Sequence, residues 1–264
     1  MKHDIFLSIC QTEVDGHIPS ERVMWRNFFD QVKLADELGF TTAWVAETHL
    51  SCQVQKGNPG AVIPNFMGEI GLNTDILQVA HKVFAQTKRI NVGSAIRNIL
   101  CNGGPMAHAE AIRTFLSLHG LDENEKRLLE IGFASGRFPF SNTPYGIKPR
   151  NALEAKAWPA LRGLVFQEAT EIFLRFLKGE VFASKDVAPK QLSRELFRTD
   201  EDWNEVFNLA SSTTGTWIIK GNLVEIPPFW VFDDVGVIPF ESPMHLLRLT
   251  IGAHDARTQD FAND

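Results

Sequence analysis

Apolar residues along the first half of the chain alternate between two spacings. The run IFLSI at residues 5–9 has the length of a short buried strand, and the polar stretch after it, with Gly16 and Pro19, reads as a loop. From Trp25 the apolar positions Phe28, Phe29, Val32, Ala35 and Leu38 recur every three or four residues, and Gly39 follows where a helix end favours a left-handed residue. This predicts a helix leading into the strand TTAWVAE at 41–47. The unit then repeats. Asn73 or Thr74 is placed to cap a helix carrying Ile76, Leu77, Val79, Ala80, Val83 and Phe84, and RINVGSAI at 89–96 reads as the next strand. A further helix starts near Pro105 with Ala109, Ile112, Phe115 and Leu116 on one face, ahead of the strand RLLEIGFA at 127–134.

Strands that alternate with helices run parallel and are covered on both faces, so the pattern predicts an α/β fold, either a barrel or a doubly wound sheet. After the fourth strand the rhythm stops. Residues 136–246 hold a helix near 160–177, aromatic-rich polar stretches and the turn-like EIPPFW, and they read as an irregular insertion. Regularity returns with LLRLTIGAHDART at 246–258, a strand running through a glycine turn into a helix start.

Composition narrows the class. A chain of 264 residues with 44% hydrophobic content can bury one large core, and no linker-like run divides it, so the sequence predicts a single domain over 1–264. A net charge of -6 argues against a general nucleic-acid binder and favours a small-molecule ligand. Three cysteines without a C-x-x-C pair indicate neither a disulfide framework nor a zinc site, which fits a cytoplasmic protein. No apolar run reaches the roughly 18 residues of a membrane span, and the N-terminal apolar stretch is too short for a signal peptide.

Candidate chemistry lies where strands end. The second strand breaks from Trp44, Val45 and Ala46 into Glu47, Thr48 and His49, an acid and an imidazole directly after a buried run. In the last segment Asp255 or Thr258 can cap a helix whose N-terminus, beside Arg257, suits a phosphate group; an ordinary capped surface helix has the same pattern. His108 and Glu110 stand two apart on a helix and do not share a face, so no metal pair is expected there. The glycine pairs Gly57/Gly60 and Gly103/Gly104 lack dinucleotide-fingerprint spacing.

The ordered set ADELGFTTAWVAETHL, KRINVGSAI, GPMAHAEAI, IGFASG and LRLTIGAHDART resembles the bacterial luciferase-like flavin monooxygenase family. The likeness covers roughly 1–138 and 245–264 and rests on the set as a whole. It implies a (β/α)8 TIM-barrel-type fold with its active site at the C-terminal strand ends. Glu47, Thr48 and His49 align with the family's Glu-His-His, so they are the implied catalytic residues, with Thr48 standing where a histidine is usual. Thr48 cannot shuttle a proton at neutral pH, whereas His49 can.

For the cofactor, the resemblance implies Ser94, Ala95 and Ile96 against the flavin ring, with a non-proline cis peptide at Ala95–Ile96. It implies Ala134 and Ser135 at the fourth strand end, where Ser135 replaces an expected arginine and Arg137 stands nearby, and Ala253, His254, Asp255, Arg257 and Thr258 around the phosphate. The implied activity is oxygenation of a small organic substrate with reduced FMN and O2, the FMN supplied by a separate flavin reductase, and dimerisation through the early helices. F420-dependent hydride transfer and a non-catalytic flavin-binding or partner subunit are the alternatives. About five barrel strands are recognisable, so either the barrel is incomplete at its C-terminal end or the irregular insertion before the fifth strand supplies replacement strands.

Overall fold

The computed structural model describes residues 2–51, 68, 69, 71–136, 139–252 and 260. Its contacts group the chain into two compact units, one comprising Met1–Asn98, Ala111–Pro144 and Pro239–Asp264, the other Ile99–Glu110 and Tyr145–Ile238.

The first unit is built on five parallel strands, β1 (Ile5–Leu7), β2 (Thr42–Val45), β3 (Asn91–Asn98), β4 (Leu129–Ala134) and β8 (Leu247–Ile251), which lie side by side in that order. This order, with helices between successive strands, is that of a partial (β/α) barrel. Ala43, Val45, Val92, Leu129 and Ile131 are fully buried, as expected for a parallel sheet covered on both faces. Trp44 lies opposite Gly93 in the register, and a Cβ on Gly93 would sit 2.4 Å from the indole, so the glycine makes room for the ring.

Helix α1 (Glu21–Leu38) begins at Ser20, whose hydroxyl accepts from the Val23 N–H, and ends at Gly39 with φ 82, the left-handed stop that the sequence predicts. Near its end the buried Asp36 carboxylate accepts the N–H groups of Lys88, Arg89 and Ile90 at 2.8–2.9 Å, fixing the entry into β3. Helix α2 (Ile76–Phe84) is capped by Asp75 rather than by Asn73 or Thr74. Asp75 Oδ1 accepts the Leu77 N–H at 3.0 Å, while the Asn73 Nδ2 donates to the Ala46 carbonyl at 3.1 Å. Helix α3 (Gly104–His119) starts beside Pro105, as the pattern predicts.

The second unit gives the arrhythmic stretch an order that hydrophobic spacing did not reveal. Helix α4 (Ala152–Leu177) starts eight residues before the predicted point and runs through Pro159, because Asn151 accepts from the Glu154 N–H and sets the first turn. Much of α4 is buried, including Leu161, Val165, Ala169, Ile172 and Phe173, so it shows no clean amphipathic stripe. It packs against β5 (Lys190–Leu192) and helix α5 (Asp200–Ser212). Strand β5, β7 (Leu223–Ile226) and β6 (Ile218–Lys220) form an antiparallel sheet in the order β5-β7-β6. Phe176, Phe182 and Phe232 cluster with ring centroids 4.5–5.7 Å apart. No helix among the described residues is long and apolar enough to cross a membrane.

Candidate active site

The polar end of β2 is explained by what surrounds Glu47. Beyond Val45 the backbone stays tied to its neighbours, with the Ala46 N–H on the Leu7 carbonyl at 2.9 Å and the Thr48 N–H on the Asn73 carbonyl at 3.0 Å. The Glu47 side chain is thereby turned inward and has no solvent exposure. A carboxylate in such a place needs donors. Glu47 receives them from three elements: Arg97 Nη1 at 3.4 and 3.5 Å and the Ser94 hydroxyl at 3.3 Å from β3, the Ile76 N–H at 3.3 Å from the first turn of α2, and His49 Nε2 at 3.3 Å from its own loop. The Arg97 guanidinium also reaches Asp75 Oδ1 at 3.5 Å, so one cation bridges the carboxylate and the helix cap. The first turn of α2 adds the positive end of its dipole. His49 and Arg97 are themselves nearly buried.

Strand β3 changes register directly beside this cluster. Ser94 pairs with Ile131 and Arg97 with Phe133, so Ala95 and Ile96 together oppose Gly132, a bulge of the kind found next to functional sites. The Ala95–Ile96 peptide is cis, where the family resemblance implies one. Ile96 is 45% exposed, and a Cβ added at Gly252, just past β8, would lie 3.1 Å from its Cδ1 and 3.3 Å from the Ala134 Cβ. At the β4 end the Ser135 carbonyl accepts from Asn142 Nδ2 at 3.0 Å, and Asn98 Nδ2 donates to Asn142 Oδ1 at 2.7 Å. Gly136, at φ 72, passes so near Asn98 that an added Cβ would fall 2.2 Å from its amide nitrogen.

Of the residues that the sequence singles out, Glu47, His49 and Ser94 come together in one hydrogen-bonded group, while Ala95, Ile96, Ala134 and Ser135 lie at the neighbouring strand ends. Thr48 packs its methyl close to Gly71, where a Cβ would come within 2.7 Å. Arg137, Ala253, His254, Asp255, Arg257 and Thr258 lie outside the described residues. The sequence reading missed Arg97 and Asp75. A lone arginine within the apolar SAIRNIL was the available signal, since a charge in a buried parallel strand needs a partner. His108 is accounted for by packing, its Nε2 lying 2.9 Å from the Cys101 carbonyl, and burial pushes the Cys101 thiol up to about 12.

Comparison with known proteins follows the same line. The family model described as luciferase-like monooxygenase matches residues 5–184, and the chain belongs to this family. No curated protein matches the sequence. Among solved structures, the monooxygenase RslO1 from Streptomyces bottropensis is 17% identical with a TM-score of 0.56, over 99% of this chain and 56% of that one. The FMN complex of the oxygenating constituent of 3,6-diketocamphane monooxygenase, a type II Baeyer-Villiger monooxygenase from the CAM plasmid of Pseudomonas putida, is 15% identical over 69% of this chain and 41% of its own, with a TM-score of 0.46. An F420-dependent secondary alcohol dehydrogenase, solved with an F420-acetone adduct, is 12% identical over 74% and 46%, with a TM-score of 0.44. The chain thus spans about half the length of these solved proteins. At 17% identity the likeness to RslO1 is one of fold.

Proposed function

We propose that the chain is a flavin-dependent oxidoreductase that uses reduced FMN and O2 to oxygenate a small organic substrate. The observation that carries this reading is the Glu47–His49–Ser94–Arg97 cluster at the C-terminal ends of β2 and β3, adjoining the cis Ala95–Ile96 bulge. Such strand ends are where barrel enzymes work. They also suit the ring of a flavin: the half-exposed Ile96 offers an apolar support, and Gly252 leaves its flank low, since a Cβ there would already reach within 3.1 Å of Ile96. Ala95, Ile96, Ala134 and Ser135 would hold the ring, and Arg137 with Ala253, His254, Asp255, Arg257 and Thr258 the phosphate. When bound, the reduced cofactor supplies the electrons that activate O2.

The chain's own work is positioning and proton handling. Glu47 accepts from the His49 Nε2–H, which fixes the tautomer and orientation of the imidazole that would handle the proton. Arg97 and the α2 N-terminus hold Glu47 charged and in place, so the imidazole keeps one orientation. Thr48 contributes no proton transfer. A separate flavin reductase supplies the reduced FMN, and two copies of the chain associate.

The test is a titration of the purified chain with FMN and, in parallel, with F420, following cofactor absorbance and the thermal midpoint. Saturable FMN binding is expected. His49→Ala should bind FMN comparably but lose oxygenation by about a hundredfold or more, the usual contribution of a positioned acid–base group. Binding of F420 in place of FMN would transfer the reading to hydride transfer, and binding of neither would leave a non-catalytic member of the family.

A further inference from the structure

The second unit carries its own cavity, of about 330 Å³, bounded by the start of β5, the end of β7 and helix α4. Its wall is mostly apolar, with Val187, Pro189, Ile226, Pro227 and Pro228 contributing, and Ala188 stands at its edge. The Pro227–Pro228 side is held in shape from outside: Arg150 donates to both proline carbonyls at 2.9 and 2.7 Å while gripping Glu154. Two buried charges face the cavity, Glu168 of α4 and Lys190 of β5, 2.6 Å apart and 3% and 5% exposed.

The two members of this pair are not equally provided for. Glu168 accepts from Lys190 and from the Phe229 and Trp230 N–H groups at 2.9 and 3.4 Å, so its oxygens are well supplied. The Lys190 ammonium has three N–H donors. Among the described residues it meets one acceptor, Glu168, and the Phe229 ring at 5.9 Å. Burial lowers the Lys190 pKa and raises that of Glu168, each opposed by attraction to the other, as expected of a pair kept from water. A buried donor without an acceptor is costly, and a ligand that brings one recovers that cost.

We propose that this cavity is a second small-molecule site, taking a compact apolar molecule with one uncharged carbonyl oxygen, which accepts from Lys190. An uncharged acceptor is favoured because Glu168 already neutralises Lys190, and a carboxylate would set a second negative charge beside it. Lys185 lies at the exposed rim, where its charge is screened by water. The site belongs entirely to the second unit and does not depend on the flavin reading.

Ligand-detected NMR titration of the full chain with cyclohexanone, methylcyclohexane and cyclohexanecarboxylate tests this. Cyclohexanone should bind saturably, at least about tenfold tighter than either of the others. Glu168→Gln with Lys190→Met, which keeps volume while removing both charges, should abolish that preference. Ala188→Phe, which fills the edge of the cavity and leaves the ion pair intact, should abolish binding of all three. The proposal is overturned if the ketone fails to saturate, if the hydrocarbon or the carboxylate binds as tightly, or if either variant binds the ketone as the parent does. The Ala188→Phe arm remains decisive if the double variant does not fold.

Discussion

Glu47 shows how a single side chain can organise a site from within. With no exposure it depends on donors from the protein, among them Arg97, Ser94, His49 and the Ile76 N–H, and of these Arg97 supplies a formal countercharge. Removing one partner of a buried ion pair leaves the other uncompensated, a loss of about 3–5 kcal/mol, whereas removing both together is often close to neutral. Arg97→Met should therefore lower unfolding free energy in urea by roughly 3 kcal/mol. Adding Glu47→Gln should recover most of it, and a double-mutant cycle measures the coupling. Independent, additive losses would mean that the pair is not a unit.

Between elements, the contacts that set strand positions are backbone approaches and buried ionic ties. Gly132 in β4 faces the Ser94 carbonyl so closely that an added Cβ would lie 2.5 Å from the oxygen. Backbone does not yield as a side-chain end does, so Gly132→Ala should cost about 1–3 kcal/mol, seen as a lowered denaturation midpoint. Arg127 ties the end of α2 to the entry of β4, donating to the Phe84 and Thr87 carbonyls at 2.8 and 2.9 Å and to Glu125 at 2.5 Å. Burial alone would raise the Glu125 pKa, but the hydrogen bonds and charge of Arg127, with a smaller contribution from His119, hold it at about 2 against an ordinary 4.5. A depressed carboxylate stabilises the fold fully above its ordinary pKa and loses that contribution as the pH falls through the folded value. Glu125→Gln should thus flatten the decline in stability between pH 4.5 and about 2 in acid titrations followed by circular dichroism. An unchanged slope would show that the Arg127 tie does not carry the acid response.

Over the whole molecule, the chain groups into two units, one with the parallel sheet and the Glu47 cluster, the other with the antiparallel sheet, α4 and α5. A ligand that binds only the folded state stabilises it by mass action, about 2.7 kcal/mol at a hundredfold excess over the dissociation constant. If FMN occupies the strand ends, the thermal midpoint should rise steadily with the logarithm of FMN concentration, and calorimetry at several concentrations measures the slope. A midpoint independent of FMN would remove the cofactor from these strand ends.

The sequence by itself determined the parallel β/α order, the left-handed stop at Gly39, the polar end of β2 and the place of the cis peptide, the last through family likeness. These are local or repeated features: period, capping chemistry and the ordered motifs each leave a mark within a few residues. Tertiary structure decided what Glu47 meets, because its partners Ile76, Ser94 and Arg97 stand 29–50 residues away and reach it only when β2, β3 and α2 are assembled. It also decided that α4 begins at Ala152, and that Lys190 pairs with Glu168. A helix buried over much of its surface has no stripe to read, and an ion pair between residues 22 apart in the chain leaves no local spacing, so both become visible only in the packed fold.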